Sequence, residues 1–313
     1  MYFPYLRGRQ FELIALRELI DLSLLGEKVI PIIEPVKLTS TLTKTLLGFI
    51  DAGRDIAFVY NPQVGSFIVD SKKEANDKQL EILKKALTEK HVIQTHYFCN
   101  TSTHTLNKWI GKGIKASDIM IIIDDEDFIP VYTEYFEDEP PQYSLIKDES
   151  EFRSEIHDNR VMMANRFKKQ SRNTDYAKKD DEPFSNDHLY YKSNGFVGFS
   201  DFSIIGADYS DSGFAPYAVA IHIVYFDDKK KLRVRHFVSD TNDDISDPAG
   251  KFAEAVKKLV IWNKTKKIST YAMKRFEELY AEEKYPGLGT VKKLSLMHHL
   301  ELMSSFLDEE ILV

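Results

Sequence analysis

Short apolar runs and amphipathic helical segments alternate eight times along this sequence, and this alternation predicts an α/β fold, a TIM-barrel-like (β/α)8 barrel. A chain of 313 residues with 43% hydrophobic content is long enough to form such a barrel as one domain. The composition does not change along the alternating part, which favours a closed barrel over an open sheet. We expect a single domain over 1–313, with the barrel core in 1–210, a β-hairpin insertion in 217–239 and a helical C-terminal extension in 248–313.

The first forty residues show the repeating unit. A short strand at Tyr5–Arg7 is followed by a helical spacing of apolar residues from Phe11 to Leu25, which ends at Gly26. The run from Val29 to Val36 is continuously apolar, as expected for a strand that is covered on both faces. These segments form a β-α-β unit.

The later strands are predicted from similar runs at 56–60, 92–98, 119–124, 143–146, 161–165 and 195–205. The acidic stretch 125–141 contains three prolines, so we expect a short or irregular crossover there. The long polar stretch 168–194 is typical of a functional loop or lid. A hairpin follows at 217–225 and 232–238, and then three helices at 248–262, 269–284 and 290–307.

Charge and composition limit the classes of function. A net charge of −7 argues against a general polyanion-binding surface, although the local basic stretch Arg166–Arg172 could contact nucleic acid or be a solvated loop. The single cysteine, Cys99, excludes a disulfide framework, and the histidine spacing matches no zinc motif, so we predict no metal site of that kind. No apolar run is long enough to cross a membrane, and we expect a cytoplasmic protein without a membrane partner.

Polar residues at the carboxyl ends of barrel strands face the mouth where ligands bind in this fold. Glu34 and Asp124 each follow a buried strand directly, so the two carboxyl groups could divide acid and base roles, or could instead pair with basic residues. With Asp201 they are the predicted catalytic residues. The other residues that the rule selects are Arg7, Lys37, Asn61, His96, Lys147, Asn165 and Arg166.

The basic members of this set predict the charge of the ligand. Arg7, Lys37 and Arg166 would converge near the carboxylates, and arginine grips phosphate or carboxylate through paired hydrogen bonds, so we expect an anionic ligand. Charge balance alone is the alternative. The acidic run Asp124–Asp127 could hold Mg²⁺ or Ca²⁺ but lacks the regular ligand spacing of a known calcium loop. The sequence indicates no other cofactor.

The opening segments Tyr5–Glu12, Ala15–Leu19 and Ile30–Pro35 resemble the bacterial and phage "beta family" proteins. The shared pattern is a basic-Gly-Lys/Arg-Gln-x-Glu turn, an Ala-Leu helix and a Pro-x-Ile/Phe-Glu strand. The likeness continues at Gly198–Phe202, where the family more often has glycine at Ser200. The positions that match the family's recurring polar residues are Arg7, Gln10, Glu12, Glu34 and Asp201. Of these, Gln10 and Glu12 join the ligand-binding set through the resemblance alone.

The resemblance implies a barrel-like α/β fold and association with mobile-element or phage-defence genes. We therefore expect a component of a bacterial antiphage or mobile-element conflict system, whose barrel mouth binds, and in one version hydrolyses, an anionic phosphorylated or nucleic-acid-derived ligand. The main alternative is a non-enzymatic partner of an effector encoded by an adjacent gene, with the hairpin and the C-terminal helices as the interaction surface. A carbohydrate-active barrel using Glu34 and Asp124 is a third version. The sequence leaves open whether the protein is an enzyme.

Overall fold

The computed structural model describes residues 1–210 and 216–309. The strands are β1 (Tyr5–Leu6), β2 (Ile32–Ile33), β3 (Ile56–Val59), β4 (Val92–Tyr97), β5 (Ile119–Ile123), β6 (Tyr143–Lys147), β7 (Arg160–Ala164), β8 (Asp181–Ser185), β9 (Gly198–Asp201), β10 (Ala220–Phe226) and β11 (Leu232–Val238). The helices are α1 (Gln10–Asp21), α2 (Ser40–Asp51), α3 (Phe67–Asp70), α4 (Asp77–Ala86), α5 (Ser102–Ile110), α6 (Ile129–Tyr135), α7 (Ser150–Glu155), α8 (Asp187–Tyr190), α9 (Pro248–Lys266), α10 (Tyr271–Ala281) and α11 (Leu288–Glu309).

The described residues form two compact units. The first unit comprises 1–13, 27–165 and 187–202, and the second comprises 14–26, 166–186 and the chain from Ser203 onward. In these described ranges, none of the helices combines the length and the apolar character that crossing a bilayer requires.

The first unit contains the predicted barrel. Within the described residues, eight parallel strands pair in the order β1-β2-β3-β4-β5-β6-β7-β9. The chain just before β1 brings the last strand beside the first, because Tyr2 forms parallel bridges with both Val29 and Phe199. The N–H of Phe3 donates to the Phe199 carbonyl at 2.8 Å, and the sheet thereby curls into a nearly closed barrel. The TIM-barrel-like prediction is confirmed.

Local sequence explains where the helices around the barrel begin. The side chain of Thr39 accepts a hydrogen bond from the Leu42 N–H at 3.2 Å, which satisfies one of the unpaired donors at the start of α2. Leu42, Leu46 and Phe49 recur at helical spacing and are fully buried. In the proline-containing crossover after β5, the helix is short, and Pro130 occupies its first turn, where a missing N–H costs no hydrogen bond.

The second unit contains an antiparallel sheet and three helices. Within the described residues the strand order is β10-β11-β8, so the predicted hairpin is joined by a third strand. That strand, Asp181–Ser185, lies inside the polar stretch 168–194, which we predicted to be a loop or lid. Its backbone is instead held in a sheet, and a 3-10 helix at Asn173–Lys179 precedes it. The helices α9, α10 and α11 follow the sheet as predicted, within a few residues at each end.

Candidate functional site

Side chains of alternating residues fill the barrel interior and form the floor of its mouth. The apolar interior includes Tyr5, Ile32, Val59 and Ile122, and the partly buried Tyr97 packs against it. Successive side chains of a strand point to opposite faces, so residues two positions further along each strand share the inward face. At the carboxyl ends of the first five strands, these residues are Arg7, Glu34, Asn61, Tyr97 and Asp124.

Arg7 and Glu34 form a buried ion pair at this end of the barrel. Because Leu6 is in register with Ile33, the next pair of residues brings Arg7 opposite Glu34. Glu34 has no exposed surface, and the side chain of Arg7 is 13% exposed. The guanidinium carbon lies 5.3 Å from the centre of the Tyr5 ring and 5.5 Å from that of Phe202. The ion pair and the two rings together fix the orientation of the guanidinium group.

Both carboxylate oxygens of Glu34 accept hydrogen bonds from neighbouring residues. Its Oε2 accepts hydrogen bonds from Arg7 and, at 2.8 Å, from the Tyr5 hydroxyl, while Oε1 accepts from the Gln63 N–H at 2.6 Å. A buried carboxylate with three donors is stabilised as the anion. Glu34 therefore acts on Arg7 and on the loop after β3 as a positioning residue, and it has no accessible oxygen for a ligand.

Tyr97 and Asp124 form the second pair of the mouth. The Tyr97 hydroxyl donates to Asp124 Oδ2, and Asp124 is half-buried. The Asn61 side chain fixes the backbone of Tyr97 from both sides: its amide donates to the Tyr97 carbonyl, and its oxygen accepts from the Tyr97 N–H, each at 2.8 Å. The Asn61 side chain therefore orients the carboxyl end of β4. Asp124 is the carboxylate of this group that a ligand can reach.

The two pairs share one electrostatic environment. Burial raises the pKa of the Tyr5 hydroxyl, and the nearby Tyr97 and Asp124 raise it further while Arg7 opposes them. Burial also raises the pKa of Tyr97, with the hydrogen bond to Asp124 next in importance. Both phenols therefore stay protonated and donate to carboxylates. The mouth presents one oriented guanidinium and one half-buried carboxylate, a donor and an acceptor, above an apolar floor.

Two of the predicted mouth residues have side chains on the opposite face of their strands. His96 is 3% exposed, its Nε2 lies 2.9 Å from Ser102 Oγ on α5, and its ring packs against Trp109. Asp201 is 2% exposed and accepts a hydrogen bond from the Tyr2 hydroxyl at 2.8 Å. The placement of His96 and Asp201 in the mouth is corrected by this alternation, since each is one residue out of phase with the inward face.

Gln10 and Glu12 belong to helix α1 and not to the carboxyl end of a strand. Gln10 is exposed at the start of α1, and Glu12 is buried and accepts from the Arg9 N–H at 3.3 Å, which is the geometry of a helix-capping glutamate. Lys37 is exposed. Arg166, with the rest of the predicted basic stretch, belongs to the second unit.

The ammonium of Lys147 lies 5.8 Å from the Phe152 ring centre on α7, and Asn165, which follows β7 directly, is exposed. In the part of the chain that the structure describes, no group of three or more His, Cys, Asp or Glu side chains is arranged to hold a metal ion. The acidic run after β5 instead caps a 3-10 turn, where Asp125 Oδ1 accepts from the Asp127 N–H at 3.1 Å.

Sequence reasoning missed Tyr5, Tyr97, Phe202 and Gln63. The first three are aromatic residues within predicted strands, where an aromatic side chain is equally compatible with the core. Alternate residues of a strand share one face, so Tyr5 can be found from Arg7 in the same strand. Tyr97 can be found only when the register between neighbouring strands is known. Gln63 contributes a backbone N–H, which carries no signal in its residue type.

The chain matches no family model, and no curated protein or solved structure matches it. The fold and the mouth therefore define the class to which the protein can be assigned, a TIM-barrel-like α/β protein.

Proposed function

We propose that the barrel mouth binds a small phosphorylated ligand that also carries hydroxyl groups, such as a nucleotide or a sugar phosphate. The single observation that carries this proposal is the oriented guanidinium of Arg7 beside the accessible carboxylate of Asp124, both above an apolar floor. A guanidinium recognises phosphate through paired N–H donors, and a carboxylate accepts from hydroxyl groups. A ligand with both groups satisfies both residues at once.

The charges of the Arg7–Glu34 ion pair favour a compact anion that makes few contacts in the mouth. Glu34 neutralises Arg7, so a phosphate must share the guanidinium with that carboxylate. Arginine has five N–H donors in a planar fork, and Glu34 accepts from one of its nitrogens, Nη1. Lys37 and Lys147 add positive charge at strand ends of the same unit.

A hydrolytic version of the proposal assigns the base to Asp124. Asp124 is half-buried and hydrogen-bonded to a phenol, and it can accept a proton from water beside a bound phosphoryl group. Glu34 has no accessible oxygen and serves only to orient Arg7. In this version Asp124→Asn abolishes turnover and retains ligand binding, whereas Arg7→Gln abolishes both.

Thermal denaturation in the presence of paired ligands tests the proposal. Nucleotides and sugar phosphates are compared with the parent nucleosides and sugars, and we expect only the phosphorylated members to raise the Tm. Arg7→Gln removes this rise, measured against the variant's own Tm without ligand, and Lys108→Gln, at an exposed lysine on α5, retains it. A rise of equal size in Arg7→Gln and the unchanged protein contradicts the proposal.

The cellular role proposed with this site is in a bacterial antiphage or mobile-element conflict system, and it rests on the resemblance of the first two strands and their helix. Cells that carry the gene and its native neighbours are challenged with phage. Protection that is lost in Arg7→Gln and kept in Lys108→Gln supports the role. Equal plaque numbers with and without the gene, across a phage panel, count against it.

A second candidate, an interaction surface for a neighbouring effector, is favoured by a groove in the second unit. A cavity of about 410 Å³ lies between β11 and α9, lined by Phe237, Trp262 and Ile261 among others. Ile261 is 53% exposed and lines this cavity. If this groove docks the effector, Ile261→Asp abolishes co-purification of the adjacent gene's product, while Lys257→Met on the same helix does not.

A further inference from the structure

Another cavity is lined by described residues of the second unit. It has a volume of about 240 Å³. The buried side chains of Phe167, Tyr176 and Ile205 form part of its wall, and His222, Lys169 and Lys292 contribute basic groups. The cavity is smaller than the typical pocket for a drug-sized molecule, which begins near ~300 Å³, so it suits a small group.

The described residues that line the cavity include basic side chains. Of the described residues that line it, the ionisable ones are Tyr176, His222, Lys169 and Lys292, and none of these described lining residues is acidic. Lys292 is close enough to His222 to help lower the pKa of that imidazole, after burial and the neighbouring His236. Lys292 is half-buried, so its charge is less screened than that of a surface lysine.

The start of α11 adds to the positive potential. This helix has 22 residues, and Leu288 and Val291 in its first turn line the cavity with Lys292. The unpaired N–H groups and the dipole of a helix favour an anion at its N-terminus. The lysines and the helix end are thus two separate contributions of positive potential around one cavity.

His222 has a defined tautomer because of the histidine behind it. His222 and His236 are directly opposite in the antiparallel pair β10 and β11, and their Nδ1 atoms are 2.8 Å apart. The other nitrogen of His236, Nε2, lies 3.5 Å from a carboxylate oxygen of Glu182, which favours a proton on Nε2. His236 Nδ1 is then the acceptor, and His222 Nδ1 must donate to it.

With Nδ1 as the donor, His222 Nε2 is left as a hydrogen-bond acceptor, and His222 is one of the residues that line the cavity. Burial keeps the pKa of His222 well below its usual value, so the ring is neutral at neutral pH. A basic cavity that contains a neutral acceptor favours an anion that itself carries a proton. Hydrogen phosphate and the singly protonated form of a phosphate monoester have such a proton, whereas sulfate does not.

We infer that this cavity is a phosphate-binding site, in which Lys169 and Lys292 hold the anionic oxygens and His222 Nε2 accepts the proton of the P–O–H group. This inference does not depend on the function proposed for the mouth. Inorganic phosphate and a phosphate monoester share this chemistry. Binding of both favours a site for the phosphoryl group alone, and binding of only the monoester favours a site that also recognises the rest of the molecule.

Isothermal titration of the full chain with inorganic phosphate, glycerol phosphate and sulfate tests the inference. We expect at least one of the two phosphates to bind, and sulfate to bind about tenfold more weakly, since it cannot donate to His222. Lys292→Met and His222→Gln each weaken phosphate binding by about tenfold or more. Lys257→Met, at an exposed lysine on α9, binds as the unchanged protein does.

The mouth variant Arg7→Gln separates the two sites. It retains phosphate binding in the titration if the cavity is the site, and it loses binding if the phosphate sits in the mouth. Lys169→Met supplies a second test should Lys292→Met fail to fold, because Lys169 is exposed outside helices and strands. The inference is overturned if neither phosphate binds at millimolar concentration, or if both lysine variants bind as tightly as the unchanged chain. Equal affinity for sulfate overturns the role given to His222.

Discussion

Acidification should destabilise the second unit through one buried histidine, His298. This residue is fully buried on α11. Its Nδ1 lies 2.8 Å from the Thr270 hydroxyl, and its Nε2 lies 2.6 Å from the Val224 carbonyl oxygen. A carbonyl only accepts, so Nε2 carries the proton and Nδ1 accepts from Thr270. A second proton on Nδ1 would force the Thr270 hydroxyl to accept in place of donating, and burial lowers the pKa of His298 to about 4.

The size of the effect follows from the difference between the two states. In the unfolded chain a histidine has a pKa near ~6.5. As the pH falls below that value, the unfolded state binds a proton, whereas His298 in the folded state binds one only near pH 4. The stabilisation from the neutral ring is therefore complete above pH ~6.5 and is lost as the pH falls. At ~1.4 kcal/mol per pKa unit, this costs about 2 kcal/mol between pH ~7.5 and pH ~5, and about 3 kcal/mol in all.

Urea denaturation at the two pH values, followed by circular dichroism, measures this loss. We compare the unchanged protein with His298→Gln, whose side chain keeps a donor and an acceptor but cannot titrate. The variant should be less stable near neutral pH but should lose about 2 kcal/mol less on acidification. His157→Gln, at an exposed histidine, is the matched control and should follow the unchanged protein. If His298→Gln keeps the full dependence on pH, the buried imidazole is not its source.

Three further substitutions test the barrel unit. Glu34→Gln leaves the Arg7 guanidinium without its counter-ion and should cost about 3 kcal/mol or more in the free energy of unfolding; a loss below about 1 kcal/mol would show that the pair is exposed to water. Gly65→Ala should lower the Tm by several degrees, because Gly65 has φ +82° and an added Cβ would collide with neighbouring backbone; an unchanged Tm would refute this. Tyr132→Phe removes a buried 2.6 Å hydrogen bond to Ser144 and should cost about 1 kcal/mol by urea denaturation, with no change expected only if Ser144 finds another partner.

The order and position of the barrel strands could be predicted because each strand is a short apolar run between turn signals. The run at Ile119–Ile123 is one example, since five apolar residues in succession suit only a strand that is covered on both faces. Because such a run is apolar throughout, its hydropathy does not show which residues face the barrel interior. In β4 both His96 and the neighbouring Tyr97 are compatible with burial, so hydropathy could not tell which of them reaches the mouth.

Other features depended on contacts between distant parts of the chain. The strand Asp181–Ser185 contains a proline and three acidic or polar residues, and it forms because β11 offers it a pairing edge. The relay of Glu182, His236 and His222 requires three strands to be in register, which no local pattern encodes. The polar stretch was therefore interpreted as a loop, and the basic cavity was not predicted.

The sequence by itself determined the α/β class, the eight strands of the barrel and the strand ends where Arg7, Glu34 and Asp124 lie, because strand length, burial and turn residues are local properties. Tertiary structure alone decided which side chains face one another. It turned His96 and Asp201 away from the mouth, committed Glu34 and Asn61 to holding their neighbours, and brought Lys292 beside His222, since pairing register and the phase of each strand are set only when the strands meet.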